Sequence, residues 1–544
     1  MLQCSYVGAG GNVEISGMLW RKGGVITGMS NVSADLILYN ARVITLDQKQ
    51  PVAELVAVKG NKILDVGGEE SLGLFRGAGT RLIDCEGGTV VPGFNDAHCH
   101  PLSYAATLLY VDCSPALVKD VAGIQVGIRW RAERTPEGKW VRAAKYDEFR
   151  LVGKRHPNRW ELDEAAPRNP VVLVHSSGSI CVLNSPALSL LGINRETPDP
   201  PGGRIGRDPE TGEPDGLIVG RNELVERGVP PLDEEELAEG VRLASLEFLS
   251  NGITSLQDTG WSNDLSHWQR FQRLKERGIL PVRVAVLAGS DNLEEFKNSG
   301  LSTSSGDAQL RLGGVKIALD ESTGCPHPPQ EDLNDHALRA HKSGFQLALH
   351  VNDLYTLEAA LAALDFVLQQ VPRPGHRHRL EHCAVCPPGL LRRLGASGAM
   401  IVTQPPFLYH MGDRYLDEVS SAQLGWVYPA GSFLKRGLKV AASSDSPVAP
   451  CNPLVGIYAA VTRKTETGRT LSPWERISPL EALKMYSLWG AYATFEDGIK
   501  GSISSGKLAD LVVLSGDPTR TDPEEIREIK AMLTVVDGRV VWER

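Results

Sequence analysis

The amino-acid sequence predicts an α/β fold: a TIM-like (β/α)8 barrel with a small composite β-sandwich domain built from both chain ends and an insertion after barrel strand 1. Three observations carry this expectation. Through the middle of the chain, short apolar runs are each followed by an amphipathic stretch of helical period, the pattern of repeated βα units. At both ends the pattern changes to strand-like alternation broken by Gly and Asn turns. One stretch of the middle, about 102–240, is too long for an ordinary connection and must carry structure of its own.

At 544 residues and 42% hydrophobic content the chain can bury a large core and hold more than one unit. Residues 1–33 are Gly- and Ser-rich without sustained periodicity, so they are expected to be an N-terminal extension outside the ordered fold, with Met29 an alternative start. The composite β-domain is expected over 34–91 and 495–544. Its first part holds the runs Asp35–Tyr39, Leu55–Val58, Lys62–Val66 and Thr80–Asp84, read as an antiparallel unit. Its second part holds Ala509–Leu514, Ala531–Val536 and Val540–Trp542. The barrel is expected over 92–494. Eight candidate strands are Thr89–Phe94, Ile253–Asp258, Val282–Leu287, Val315–Leu319, Gln346–His350, Arg379–His382, Met400–Gln404 and Lys439–Asp445. Intervening helices include Glu331–Lys342, Leu357–Gln369 and Pro479–Leu488, with Gly344 where a helix should stop.

Charge and composition exclude several classes. A formal charge of −9 and a pI near 5.9 leave no basic surplus for nucleic acid or an anionic membrane. No run approaches the roughly 20 apolar residues that span a bilayer. The nine cysteines are scattered, not framework-spaced, which fits reduced thiols and a cytoplasmic protein. The expected partner is a small-molecule substrate, with homo-oligomerisation left open.

The chemistry-bearing residues cluster at strand ends. His98 and His100 stand just past the first strand, Lys316 lies inside the fourth, His350 ends the fifth, His382 the sixth and Asp445 the eighth. In a barrel, the carboxyl ends of the strands converge on the face where active sites are built. His98 and His100, two apart in extended chain, point to one side and form half a site for a divalent cation. Asp445 can add a carboxylate and accept a proton from water. Each histidine alone is better read as a hydrogen-bonded core residue; five ligand-type residues at equivalent strand ends are not. Lys316, flanked by Val315 and Ile317, would be a buried ammonium that needs neutralising or modifying. Cys383 and Cys386 near His382 are expected to be buried thiols, because no second ligand pair lies nearby. Ser443-Ser444-Asp445 lacks the glycines of a nucleophile elbow.

From Ser33 onward the chain resembles the amidohydrolase superfamily, in particular its YtcJ-like branch, which includes N-substituted formamide deformylases. The resemblance rests on Val91-Pro92-Gly93-Phe94-Asn95-Asp96-Ala97-His98-Cys99-His100-Pro101, Gly314-Val315-Lys316, Arg379-Leu380-Glu381-His382, Ser444-Asp445-Ser446-Pro447-Val448, and Lys500-Gly501-Ser502-Ile503 with Gly506-Lys507-Leu508-Ala509-Asp510. It implies that His98, His100 and Asp445 hold one divalent metal such as zinc, that His350 and His382 hold a second, and that a carboxylated Lys316 bridges them. One or two ions per chain are compatible with it. It further implies hydrolysis of a non-peptide C–N bond, an amide first, by metal-activated water with Asp445 as general base.

This chain departs from the common pattern at three places. His350-Val351-Asn352-Asp353 replaces a Gly-Asp-Arg continuation, Leu319-Asp320-Glu321 replaces an Asp-Gly ending, and Ser177-Gly178-Ser179 replaces a Gly-His pair while Asn184-Ser185 is kept. Substrate-binding residues are therefore unassigned. A lactonase, cyclic-amide hydrolase or deaminase would use the same apparatus. A binding protein that keeps the fold without activity is the reading from a different class, and would be recognised by lost ligands.

Overall fold

The computed structural model describes residues 32–200, 203–220, 225, 228–319 and 327–544. The expected extension over 1–33 lies outside them except for its last two residues, as do Met29, Asp320 and Glu321.

Eight parallel strands make the central sheet: β1 (Phe94–Cys99), β2 (Ile253–Asp258), β3 (Arg283–Gly289), β4 (Leu310–Ile317), β5 (Leu347–Val351), β6 (Arg379–His382), β7 (Met400–Thr403) and β8 (Val440–Ala442), each hydrogen-bonded to the next. Nearly every residue in them is buried, because a parallel strand in a barrel faces side chains within and helices outside. Helices such as Gln330–Lys342 and Leu354–Gln370 pack their apolar faces on this sheet in one continuous core. Gly344, at φ +86°, turns the chain from the first of these helices into β5. The seam between β8 and β1 is joined just past the strands: Asp445 N donates to His98 O at 2.8 Å, and His100 N to Ser446 O at 2.8 Å.

Both chain ends contribute to a pair of sheets beside the barrel. Leu511–Leu514 lies antiparallel to Thr89–Pro92, and Ala531–Val536 and Arg539–Glu543 extend that sheet outward. The facing four-stranded sheet runs Lys62–Gly67, Leu55–Lys59, Leu36–Tyr39, Arg81–Asp84. A buried ion pair links this unit to the barrel: Arg283 at the start of β3 donates to both carboxylate oxygens of Asp510, at 2.6 and 2.9 Å.

Three expectations about elements are corrected. The run Thr89–Phe94 is not a barrel strand: Thr89–Pro92 belongs to the sandwich, and β1 begins only at Phe94. Thr-Val-Val-Pro reads as a buried strand in either sheet, and only its partners decide which. The N-terminal β-unit is mixed, since Leu36–Tyr39 pairs parallel with Arg81–Asp84 and Arg42–Ile44 parallel with Thr89–Pro92. The helix expected over Pro479–Leu488 ends at Met485, and a second begins at Leu488.

Between β1 and β2 the chain builds a further six-stranded sheet, ordered Arg204–Arg207, Pro214–Val219, Ile180–Leu183, Val171–His175, Val141–Tyr146, Val111–Asp112. It has its own hydrophobic clusters. The helices that lead out of β1 and into β2, Pro101–Thr107 and Glu234–Ser250, pack together as its stem.

Candidate metal centre at the barrel mouth

His98 and His100 sit at the end of β1, and Asp445 lies three residues past β8, in the left-handed region at φ +57°. His382, the last residue of β6, is also held at positive φ, +69°. Non-glycine residues pay roughly 1–3 kcal/mol to stay there, and such strain gathers where side chains must be aimed. Asp96 helps hold the Asp445 loop by accepting from Ser444 N at 3.0 Å and Ser444 Oγ at 2.5 Å. Burial pushes the Asp96 carboxyl up to about 7.

One ligand-type atom each from His98, His100 and Asp445 falls within a 4.8 Å cluster. Asp445 Oδ1 is 3.1 Å from His100 Nε2 and 3.5 Å from His98 Nε2, and neither contact has hydrogen-bonding geometry. The His98 ring explains the second distance. Its Nδ1 lies 2.5 Å from Glu381 Oε2. A carboxylate can only accept, so Nδ1 carries the proton and Nε2 presents a lone pair to Asp445. Burial, then the charge of Lys316, holds His98 well below the ordinary imidazole range and so neutral. A lone pair and a carboxylate oxygen facing each other in a dry site repel unless a cation stands between them.

His382 Nε2 and His350 Nδ1 stand 3.2 Å apart, and the His98 and His382 rings are 4.6 Å centroid to centroid. Bonds of about 2.0–2.1 Å in a tetrahedral site give ligand–ligand edges of about 3.3 Å, so the atom separations of 3.1, 3.5 and 3.2 Å each suit two ligands of one cation. His382 Nδ1 is 2.8 Å from Gln404 Oε1, and His350 Nε2 is 2.8 Å from Asn352 Nδ2. Burial first, with the charge of Lys316 in β4 among the smaller causes, depresses His98, His350 and His382 alike. For Asp445, burial would raise the carboxyl, but the histidines around it outweigh burial and hold it well below the usual carboxylate range. His100 goes the other way. Burial opposes its protonation, yet the Asp445 carboxylate lifts it above the ordinary imidazole value.

Four neighbours were missed by the sequence reading. Glu381 and Arg379 are both fully buried on β6 and paired with each other. Charged residues two apart inside an apolar strand were the available signal, since such charges require partners. Asp258 ends β2 as the other candidates end their strands, and accepts from His267 Nε2 at 2.7 Å. Gln404, just past β7, had no signal apart from the strand end. Cys383 and Cys386 are buried, free thiols, in keeping with the sequence expectation.

In the insertion, Asp147, Glu148 and His175 form a second cluster of ligand-type residues. Ser177 N donates to His175 Nδ1 at 3.0 Å, which leaves the ring proton of the neutral imidazole to Nε2, 2.7 Å from Glu148 Oε2 but without hydrogen-bonding geometry between them. The His175 contact, opposed only by burial, brings the Glu148 carboxyl down to about 2. Asp147 and His175 help wall a cavity of about 200 Å³ completed by His410, Met411, Arg414 and Tyr415 from the helices after β7. Arg414 reaches back to Glu148 at 3.3 Å, joining barrel to insertion. Asn184 caps the helix Ser185–Leu191 and is fully buried, a structural role.

The amidohydrolase family model matches residues 81–542. The chain is 30% identical to N-substituted formamide deformylase of Arthrobacter pascens, covering 94% of this chain and 98% of that one. It is 30% identical to protein LONG AFTER FAR-RED 3 of Arabidopsis thaliana, covering 97% and 95%. An uncharacterized metal-dependent hydrolase from Pyrococcus horikoshii OT3 shares the fold with a TM-score of 0.72 at 21% identity, covering 90% of this chain and 99% of that one. The match spans the barrel and the strands returning from both chain ends, and with it the chain belongs to the amidohydrolase family.

Proposed function

We propose that this protein hydrolyses a non-peptide C–N bond, an amide, in a small-molecule substrate, using one or two divalent metal ions of the zinc type. His98, His100 and Asp445 would hold one ion, His350 and His382 a second, and Lys316 would bridge them once carbon dioxide has added to its amine with loss of a proton. The carbamate turns a buried ammonium among histidines into an anionic ligand. The observation that carries the reading is the convergence of Asp445 Oδ1 and the His98 Nε2 lone pair, without a hydrogen bond, in a buried site.

A divalent metal supplies acidified water near neutral pH and polarises the substrate carbonyl. The chain supplies the rest. Asp445 Oδ1 takes the proton of the attacking water and hands it to the leaving nitrogen. Glu381 holds the His98 ring, and Gln404 holds the His382 ring, so that neither turns during turnover. The cavity between the insertion and the helices after β7 would receive the rest of the substrate. A cytoplasmic setting belongs to the same reading, supported by the seven free, buried cysteines among the described residues.

The test is metal analysis of the purified full-length chain, followed by a panel of N-formyl and N-acyl amines, lactones, cyclic amides and aminated heterocycles. Bound zinc-like metal with amine release from an open-chain amide is the expected result. Ammonia release, or ring opening alone, would reassign the reaction, and full activity without metal would overturn the proposal.

A further inference from the structure

We infer that Glu381, backed by Arg379, is a positioning residue that makes His98 an Nε2 ligand and makes the His98–His100–Asp445 group the tighter half of the centre. The inference rests on the metal reading above and adds which half binds first and why.

The direction of every hydrogen bond in this network can be worked out from one end. Gln257 Nε2 donates to Gly490 O at 2.8 Å and to Asn95 Oδ1 at 3.0 Å, which leaves its Oε1 turned toward Arg379 Nη1 at 2.5 Å. Gly490 must be glycine for this approach, since a Cβ would stand 2.8 Å from the side chain of Asn95. Arg379, which has donors only, also gives Nη2 to Ala97 O at 2.6 Å and to Glu381 Oε2 at 3.0 Å, and its Nε to Glu381 Oε1. Both Glu381 oxygens thus accept from the forked Arg379 guanidinium, at a side chain with no solvent exposure. Its Oε2 has one remaining neighbour, His98 Nδ1 at 2.5 Å, which must therefore donate. The chain spans β1, β2, β6 and the helix Leu488–Ala493, and it ends by aiming the His98 Nε2 lone pair at Asp445.

Among the described residues, the other half has no such anion. His382 Nδ1 faces the neutral carboxamide of Gln404, whose Nε2 is spent on Ser443 Oγ at 3.0 Å, and His350 Nε2 faces the neutral carboxamide of Asn352. A carboxylate behind a ligating imidazole makes it more basic and fixes its tautomer, and losing such a partner costs about 10–100-fold in metal affinity. Unequal support predicts unequal affinity. The His98 group fills first.

Metal-free full-length protein is titrated with zinc against a chromogenic chelator, for wild type, Glu381→Gln and Gln404→Leu. Glu381→Gln is expected to weaken the tightest binding event about 10–100-fold, with Gln404→Leu leaving that event unmoved. A purely structural role for Glu381 would instead lower the unfolding temperatures of metal-free and metal-loaded protein equally, with the zinc affinity of the folded fraction unchanged, and that result overturns the inference. Because Glu381→Gln strands a buried Arg379 and can fail to fold, the imidazole nitrogen spectrum of metal-free wild type gives a second reading. His98 protonated at Nδ1 supports the inference, and His98 protonated at Nε2 alone overturns it. Wild type that binds no zinc overturns the metal reading as well, whereas tight zinc with an unmoved Glu381→Gln affinity overturns this inference alone.

Discussion

The amide of Asp445 donates to the carbonyl of His98 at 2.8 Å, across the seam where the last barrel strand meets the first. The two residues proposed to share a cation are thus linked through their backbones as well as facing each other through Oδ1 and Nε2 at 3.5 Å. The hydrogen bond that joins the barrel seam therefore also holds these two side chains face to face.

Asp445→Asn tests the proton-transfer role with little disturbance. Asparagine tolerates the left-handed backbone that Asp445 adopts, so the loop should keep its shape. Turnover on the substrate found by the panel should fall about 10²–10⁴-fold, the usual worth of a positioned base. An unchanged kcat removes Asp445 from that role.

Lys316→Ala should lose metal and activity together, because the variant removes the proposed bridge from between the histidines. Added small carboxylates should restore part of both, by offering the missing anion to the metal. Native mass measurement of the wild-type chain should show the extra carboxylate. Wild-type metal content and turnover in Lys316→Ala would refute the bridging role.

Arg283→Met should destabilise the joint between barrel and sandwich. The variant leaves Asp510, 6% exposed, without its forked partner. Breaking a buried pair from one side costs about 3–5 kcal/mol. A lowered unfolding midpoint is expected, and the double variant Arg283→Met/Asp510→Leu should recover much of the loss.

The metal-free protein should lose stability as pH falls through about 6.5, the value of an unfolded histidine. Below β5, Leu347 N donates to His378 Nδ1 at 3.0 Å, His378 Nε2 meets His341 Nδ1 at 2.8 Å, and His341 Nε2 donates to Val371 O at 2.9 Å. An N–H at one end and a carbonyl at the other require both rings to be neutral. Burial, then His376 and His341, holds His378 well below its ordinary value; burial and Arg373 lower His341. Depressed folded pKa values mean that the unfolded chain takes up protons first. Their stability is therefore complete above the unfolded pKa and is lost as pH falls toward the folded one, at up to about 1.4 kcal/mol per pH unit for each proton. His378→Gln, which can accept and donate at the same places without charging, should flatten the dependence of unfolding temperature between about pH 7 and pH 5. An equally steep curve would show that other histidines dominate.

Periodicity was sufficient to reveal the barrel, because a strand buried on both faces and a helix buried on one leave different apolar spacings. The second, third, fifth, sixth and seventh strands stand within one or two residues of the expected runs. The first did not, since Thr89–Pro92 and Phe94–Cys99 are consecutive buried strands divided only by Gly93, and pairing partners assign them to different sheets. The same division holds for the candidate site. His98, His100, Lys316, His350, His382 and Asp445 were legible as chemistry at strand ends, a one-dimensional property. Glu381, Arg379 and Asp258 were not singled out, because a buried charge reveals its role only through its partner, and those partners lie on other strands or helices: His98 for Glu381, Gln257 for Arg379, His267 for Asp258. The His98-x-His100 spacing determined which two imidazoles share one side of the chain. Only the closed barrel decided which nitrogen of His98 faces Asp445, since that depends on a carboxylate 283 residues further along the chain.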